Sequence, residues 1–322
     1  MTNGDFAVDL VYLWVDGNDI EWLKKRNRYS GADKNIDPVA LNEARIISSD
    51  ELKYSLRSVE KHTPWINKIH IVTDNQIPKW LNMSNNKINL VDLKDLFDEK
   101  HLPIYNSNTI ESRLPYIKGL SEHFLYANDD MLFFSDTKKS FFFKIDGKPI
   151  FRFSIRLKEE DQFLMYQSTV LNSYEKTCDK LGRDIKCKYL NHHNIDAYKK
   201  SDYIACINEF KEEYDKLLTR RFRTYDTIER TLVAYYCIAN KKAHYKNIEH
   251  NRFVRKFCLK YFTHKIDAVY FPVGHANIEQ DLLNINPYLF CVNDNENATQ
   301  QDRENMKILL EKLYPNKSAF EV

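Results

Sequence analysis

The chain has 322 residues, 43% of them hydrophobic and 29% charged, enough apolar content for a sizeable core and too much for a disordered chain. Its 48 Lys and Arg against 46 Asp and Glu leave a net charge of +2, no field that would make nucleic acid the main partner. The seven glycines lie no closer than thirteen positions apart, which excludes glycine-rich phosphate loops, so any nucleotide has to be held by side chains or a metal.

The first half alternates strands and helices. VDLVYLWV at 8–15 is a β-rich run that meets the turn cluster Asp16, Gly17, Asn18 and Asp19, and a short helix follows over 20–29. Ser48 with Glu51 has the spacing of a capping box, and Leu52, Leu56 and Val59 then recur with helical period until Pro64. IHIVT at 69–73 and the run 88–91 are the next strands, followed by a short segment at 93–97. Asn108 with Glu111 repeats the cap spacing and opens a helix that breaks near Pro115; HFLYA at 123–127 is then a strand running into Asn128, Asp129 and Asp130. The alternation predicts an α/β fold with a mostly parallel sheet and helices on both faces. Ligands of such sheets bind beyond the carboxyl ends of the strands, where Asp16, Asp74, Asp92, Asp129 and Asp130 fall.

From 135 to about 190 the chain turns charged and irregular, and is expected to form a connecting lobe or flap over 135–200. Ser201 is expected to cap one helix carrying Ile207, Phe210, Tyr214 and Leu217 and ending at Arg220, Arg221 and Arg223, with a second helix over 227–240. A strand at 288–292, the turn Asn293, Asp294, Asn295 and a helix over 299–313 close the chain. The expected division is thus 1–134, an irregular lobe at 135–200, and a helical part at 201–322 that returns to the sheet. The six cysteines all lie in the second half without a C-x-x-C and are expected to be reduced and mostly buried, as in a cytosolic enzyme. The aromatic residues, 13% of the chain, fit core filling better than a carbohydrate-facing surface. No apolar run approaches the ~20 residues of a membrane span. The first six residues are polar, unlike a signal peptide. A cytoplasmic protein is expected, at most peripheral to the inner face of a membrane.

Asn128, Asp129 and Asp130 are the strongest local signal for chemistry. Strand alternation puts Asn128 and Asp130 on one side and makes Asp130 the better metal ligand, since magnesium prefers one or two carboxylates plus waters and phosphate oxygens; a turn with a capping Asp is the competing reading. Asp294 is a second strand-end acid. Asn106, Ser107, Asn108 and Glu111 suit sugar hydroxyls, but the last two are also what a capped helix needs. Arg221 and Arg223 suit a bidentate phosphate clamp or simply a helix C-terminus. His192 and His193 are adjacent, and histidine is the natural general base for an acceptor hydroxyl.

Together the segments DLVYLWVDGND (9–19), ELKYSLRSVEKHTPWINKIHIVTDNQIPKWLN (51–82), LPIYNSNTIESRLPYIKGLSEHFLYANDDM (102–131) and LFCVNDN (289–295) resemble the block signature of the Stealth family of sugar-1-phosphate transferases. HNID at 193–196 through RRFRTYD at 220–226 resembles its third block, without the proline common near the histidine. The resemblance implies a GT-A-like fold with a smaller, mainly helical lobe. It further implies transfer of a hexose-1-phosphate from a nucleotide-diphospho-sugar, usually a UDP-sugar, to a hydroxyl of a saccharide or lipid-linked saccharide, with a nucleoside monophosphate released. Carried over by position, it sets Asp16 and Gly17 on the nucleotide side and Asn106, Asn108 and Glu111 on the sugar side. Asp129, Asp130 and Asp294 fall at a Mg²⁺ or Mn²⁺ ion, and His193 with Arg223, supported by Arg221, at the transferring phosphate. A metal-dependent glycosyltransferase releasing UDP is the alternative within enzymes, and a non-catalytic polysaccharide binder the alternative outside them. The lysines of 135–200 are candidates for membrane contact, against a merely solvated surface.

Overall fold

Strand β1 (Val8–Leu13) is buried along nearly its whole length because it has neighbours on both edges and side chains to cover on both faces. In the computed structural model, which describes residues 6–32, 36–248 and 265–322, it lies at the centre of a five-stranded sheet. β2 (Ile69–Thr73) and β4 (His123–Asn128) flank it in parallel, and β3 (Ile88–Asp92) adds in parallel outside β2. The edge beyond β4 will be taken by an antiparallel strand from the second half of the chain. After β1 the sheet grows through β2 and β3, then the chain crosses back to place β4 on the other side of β1. The order of strands thus reverses at β1, and the crevice beyond the carboxyl ends of β1 and β4 is the usual ligand position in such a sheet.

Side-chain alternation sorts each strand between two cores. Val11, Val72, Phe124 and Tyr126 pack on one face with the helices Met165–Leu181, Lys200–Glu209, Lys211–Leu218 and Thr231–Ala239. Leu10, Tyr12, Ile71, Leu125 and Ala127 pack on the other with Leu52, Leu56 and Val59 of the helix Glu51–His62. Helices thus cover both faces, as the α/β pattern requires.

A two-residue turn, Asp129 and Asp130, carries the chain from β4 into β5 (Met131–Phe133). Beyond it come β6 (Ile150–Arg156), β7 (Tyr189–Asn191), β8 (Asp196–Lys199), β9 (His244–Asn247), β10 (Ala268–Pro272) and β11 (Leu289–Asn293). β8 is the antiparallel edge strand beside β4. β5 pairs antiparallel with β11, which pairs parallel with β10; β6 sits between β7 and β9. The β5–β11 register sets Cys291 opposite Met131, so the far end of the chain arrives beside the 129–130 turn.

Several local expectations are corrected. Residues 135–190, read as irregular, hold a short helix (Lys139–Phe142), β6 and the 17-residue helix Met165–Leu181. The charge pattern misled because Arg152 of β6 is buried, paired with Asp267 at 2.6 Å and lying 3.7 Å from the ring centre of Phe141. The single helix expected after Ser201 is two, broken at Phe210, where the backbone leaves helical geometry (φ −110°, ψ 39°) to bury that ring. The helix near Asn108 is capped by Asn106, whose Oδ1 accepts the Asn108 N–H at 3.1 Å, leaving Asn108 inside the first turn. No Ser48–Glu51 capping box forms; Asp50 precedes the helix in left-handed conformation (φ 67°). Cys187, Cys206, Cys237 and Cys291 are buried and Cys178 half-buried, all as free thiols; Cys258 lies outside the described residues. Among the described residues no helix is long and apolar enough to cross a membrane.

Candidate active site

A cavity of about 620 Å³ occupies the crevice at the carboxyl ends of β1, β2 and β4. Trp14 and Val15 continue β1 into it, Thr73 and Asp74 end β2 in it, and Asn128, Asp129 and Asp130 end β4 in it. The turn after β11 brings Asn293 and Asp294, the start of the helix Glu51–His62 brings Glu51, and the loop after β7 brings His192 and His193.

Its acidic side is a set of carboxylates that repel one another. Burial first, then the charges of Glu51 and Asp130, push the Asp129 carboxyl well above its ordinary value. Burial likewise raises Glu51 to about 7, with Asp130 and Asp294 adding to the effect against the bond its Oε2 accepts from the Ser49 N–H at 2.6 Å. Asp130 goes the other way. Burial would raise it, but His193, whose Nε2 is 3.8 Å from Oδ2, the Asn293 amide at 2.8 Å and the Cys291 thiol at 3.3 Å outweigh that and keep it ionised. Its other oxygen, Oδ1, is buried without a hydrogen-bond partner. Ligand atoms of Asp130, His193 and Cys291 lie within 4.8 Å of one another, a group able to hold a metal ion. Burial pushes the Cys291 thiol far up, so it serves Asp130 as a protonated donor, and the surrounding carboxylates form an oxygen-rich set suited to a hard divalent ion.

The basic side faces it. Arg223 donates to the Ser107 hydroxyl at 2.5 Å from a position on the cavity wall. Arg45, exposed at the rim of the same cavity, donates its Nε–H to the Val39 carbonyl at 3.1 Å, and the like charge of Arg223 disfavours its protonated form. Two guanidinium groups crowded at one wall are what an anion would relieve. His193 packs edge-on to Tyr270 (centroids 5.8 Å apart), and its Nε2 is buried without a hydrogen-bond partner.

Of the residues singled out from the sequence, Asp129, Asp130, Asp294, His192, His193, Arg223, Asn108 and Glu111 line this one cavity. Asp294 does so with both oxygens engaged: Arg303 grips it at 2.6 and 3.1 Å and the Asn295 N–H donates at 2.7 Å. Glu111 accepts from the Tyr126 hydroxyl at 2.9 Å and lies 3.7 Å from Arg230. Asn106, Arg221, Asp16 and Gly17 are outside the wall. Asn106 is fully buried, its amide given to the carbonyls of Arg220 and Phe222. Arg221 donates to the Leu102 carbonyl and covers the ring of Tyr29. Asp16 accepts the Asn18 N–H within its turn, and a β-carbon on Gly17 would sit 1.9 Å from the Ile46 carbonyl oxygen, so this glycine serves a close backbone approach. Asp92 caps the short helix that follows β3. Sequence reasoning missed Glu51, hidden by the capping-box spacing, Asn293, read only as part of the turn around Asp294, and Arg45 and Arg230, which carry no local signal.

Residues 6–34 match the model of Stealth protein conserved region 1, and residues 45–151 that of conserved region 2. The chain is 36% identical over 229 residues (69% of this chain, 62% of the relative) to the capsular polysaccharide phosphotransferase fcs1 of Haemophilus influenzae. It is 28% identical over 299 residues (90% and 78%) to the capsular polysaccharide phosphotransferase LcbA of Neisseria meningitidis. The exopolysaccharide phosphotransferase SCO6023 of Streptomyces coelicolor is 48% identical over 143 residues, 44% of this chain and 24% of that protein. The chain thus spans less than two thirds of the length of fcs1 and of SCO6023. Among solved structures, the galactosyltransferase LgtC in complex with donor and acceptor sugar analogues aligns over 97% of this chain at 14% identity and a TM-score of 0.43. With both conserved regions present in order, and with the strand-end acids that they supply gathered at one crevice, the chain belongs to the Stealth family.

Proposed function

We propose that this chain transfers a hexose-1-phosphate from a nucleotide-diphospho-sugar, a UDP-sugar, to a hydroxyl of a saccharide or lipid-linked saccharide in capsule or surface polysaccharide synthesis, releasing UMP. The observation that carries the reading is the juxtaposition, in one cavity without glycine-rich phosphate loops, of Asp129, Asp130 and Glu51 with His193 and the Arg45–Arg223 pair. The relatives named as polysaccharide phosphotransferases agree with it.

In this reading the acceptor hydroxyl gives its proton to His193 Nε2 as its oxygen bonds to the sugar-bearing phosphorus. The bond from that phosphorus to the bridging oxygen breaks, and the nucleoside monophosphate departs with the electron pair. Arg223 and Arg45 neutralise charge spread over the phosphoryl oxygens, and positioning and electrostatics of this kind account for most phosphoryl-transfer catalysis. The Asp130 carboxylate, with Oδ2 3.8 Å from His193 Nε2, favours the imidazolium that forms. The sugar–oxygen bond stays intact, so the anomeric configuration is retained. Asp129 and Asp130 would hold a divalent ion, Mg²⁺ or Mn²⁺, through the unpartnered Asp130 Oδ1, and that ion supplies charge neutralisation at the pyrophosphate. Glu51 is the third carboxylate at hand, whereas Asp294 would first have to release Arg303.

Incubation with UDP-sugars, Mg²⁺ and oligosaccharide acceptors, followed by nucleotide chromatography and ³¹P NMR, tests the reading: UMP and a phosphodiester are expected, and UDP with an unphosphorylated product overturns it. His193→Ala is expected to lower turnover by about two to four orders of magnitude with an unchanged melting temperature. A loss of tenfold or less removes His193 as the base.

A further inference from the structure

A second hollow, of about 650 Å³, lies towards the other end of β6 from the strand-end cavity. Ile150 lines it, while Ser154, four residues further along the strand, lines the cavity, so the two are about 13 Å apart in that direction. Lys138, Phe141 and Lys144 contribute to the hollow from the segment before β6, Lys246 from β9, and Asp267 and Tyr288 from just before β10 and β11. None of these residues lines the strand-end cavity.

Its positive charge exceeds its negative charge. The two carboxylates present are already engaged: Asp267 Oδ2 takes both the Lys246 ammonium, at 2.5 Å, and the Nε of the buried Arg152, at 2.6 Å, and Asp136 meets His62 Nδ1 at 2.8 Å. Lys138 and Lys144 are exposed, and among the described residues no carboxylate pairs with either. Lys144 and Arg152 are close enough to repel the Lys246 ammonium. Four cations against two acids favour an anionic ligand. The remaining lining says what carries the charge. Phe141 and Tyr288 are half-buried with ring centroids 4.9 Å apart, and the Ser140 hydroxyl, the His244 imidazole and the exposed Tyr245 stand beside them. A bilayer is held by exposed apolar side chains next to lysines, but Ile150, the one aliphatic residue of the lining, is buried. A lone phosphate would leave most of the volume empty. Lysines for the charge, with aromatic rings and polar groups for a body of mixed polarity, suit a phosphate carried between sugar rings.

We infer that Lys138, Lys144 and Lys246, beside the rings of Phe141 and Tyr288, form a second saccharide site that holds a phosphodiester link already present in the acceptor chain. The inference rests on the functional reading for the origin of that chain, since the proposed reaction makes one such link per turnover. Engagement at the hollow raises the effective concentration of the chain end at the strand-end cavity, so acceptors that already carry links are preferred.

The double variant Lys138→Gln/Lys144→Gln tests it. Both side chains are exposed and lack an acidic partner, so the melting temperature is expected to stay within about 1 °C of the wild type. Calorimetric titration follows UDP and then, in excess UDP, phosphodiester-linked trimers of glucose, galactose and N-acetylglucosamine, each beside the neutral glycosidic trimer of the same sugar. At least one phosphodiester trimer is expected to bind the wild type, and to bind the variant about tenfold more weakly, with UDP and the neutral trimers unchanged. A wild type that binds no phosphodiester trimer, a variant that binds them equally well, or equal weakening of the neutral trimers overturns the site. Flotation with vesicles of equal parts phosphatidylcholine and phosphatidylglycerol provides a further check: if the variant loses vesicle binding while the trimers bind as before, the lysines serve a bilayer and the site is again overturned. Titration needs no turnover, so a wild type that releases UDP rather than UMP fails the functional reading while the trimers still report on the hollow.

Discussion

Asp130 and Glu51 share a crevice and opposite fates. Asp130 is kept ionised by the Asn293 amide and the Cys291 thiol on one oxygen and by the nearby His193, while Glu51, buried beside acidic neighbours and met only by backbone N–H groups, is pushed towards neutrality. Replacing Glu51 by Gln removes part of the repulsion and keeps an oxygen for the Ser49 N–H. In EDTA the variant is therefore expected to melt higher than the wild type, by about 2–4 °C if ~1 kcal/mol is relieved. The rise in melting temperature on adding Mn²⁺ should shrink, because one of the carboxylates that repay the ion is gone. A lower melting temperature in EDTA would mean that Glu51 supports the fold rather than straining it. At this scale Glu51 also shows how a local rule misleads. Ser48 and Glu51 have the spacing of a capping box, yet the helix begins at Glu51 itself and sends that side chain to the cavity.

Among the elements, the turn after β1 ties the crevice to the sheet. Gly17 lets it pass against the backbone of Ile46, whose neighbours Arg45 and Ile47 also line the cavity. The residue was expected to touch nucleotide; its observed contact is with this chain's own backbone. A methyl group there must displace backbone, so Gly17→Ala is expected to cost about 1–3 kcal/mol in urea denaturation and to disturb the Arg45 wall. A variant as stable as the wild type would show that the 43–47 segment yields freely. The 129–130 turn acts similarly. Because β5 leaves it to pair with β11, the Val292 N–H reaches the Asp130 carbonyl at 3.1 Å and the Asn293 amide reaches the Asp130 side chain. One acidic dipeptide is thereby held from both ends of the sequence.

Across the whole molecule, the last residues are fastened to the helix Glu51–His62. Arg57, buried, makes two bonds of 2.8 Å to Glu321, one of 3.2 Å to Glu311 and one of 2.7 Å to the Tyr314 carbonyl. Burial alone would raise the Glu321 carboxyl, but Arg57 and the Ser318 N–H outweigh it and hold it below its ordinary value. A carboxylate lowered on folding stabilises above its unfolded pKa and loses that contribution as pH falls through the folded value. Glu321→Gln is therefore expected to cost about 2 kcal/mol at pH 7. The difference from wild type should persist down to about pH 5 and fade below the ordinary carboxylate range. A gap that grows on acidification, measured by denaturant titration across pH, would assign the pair the wrong sign.

The sequence by itself determined the strands of the first half and the acids that end them. Continuous β-rich apolar runs and turn-forming Asp are local signals, and 8–15, 69–73 and 123–127 carry them plainly. It misjudged 135–190 because Arg152 looks like surface until Asp267, more than a hundred residues later, neutralises it. Only the tertiary structure decided which strand ends meet, since that depends on the chain crossing from β3 back to the far side of β1. The same holds for Arg303 taking Asp294, Glu51 joining Asp129, and Arg230 standing among Glu111, Asp196 and Glu229. Electrostatic and hydrogen-bond partners are chosen by distance in space, and distance along the chain does not encode it.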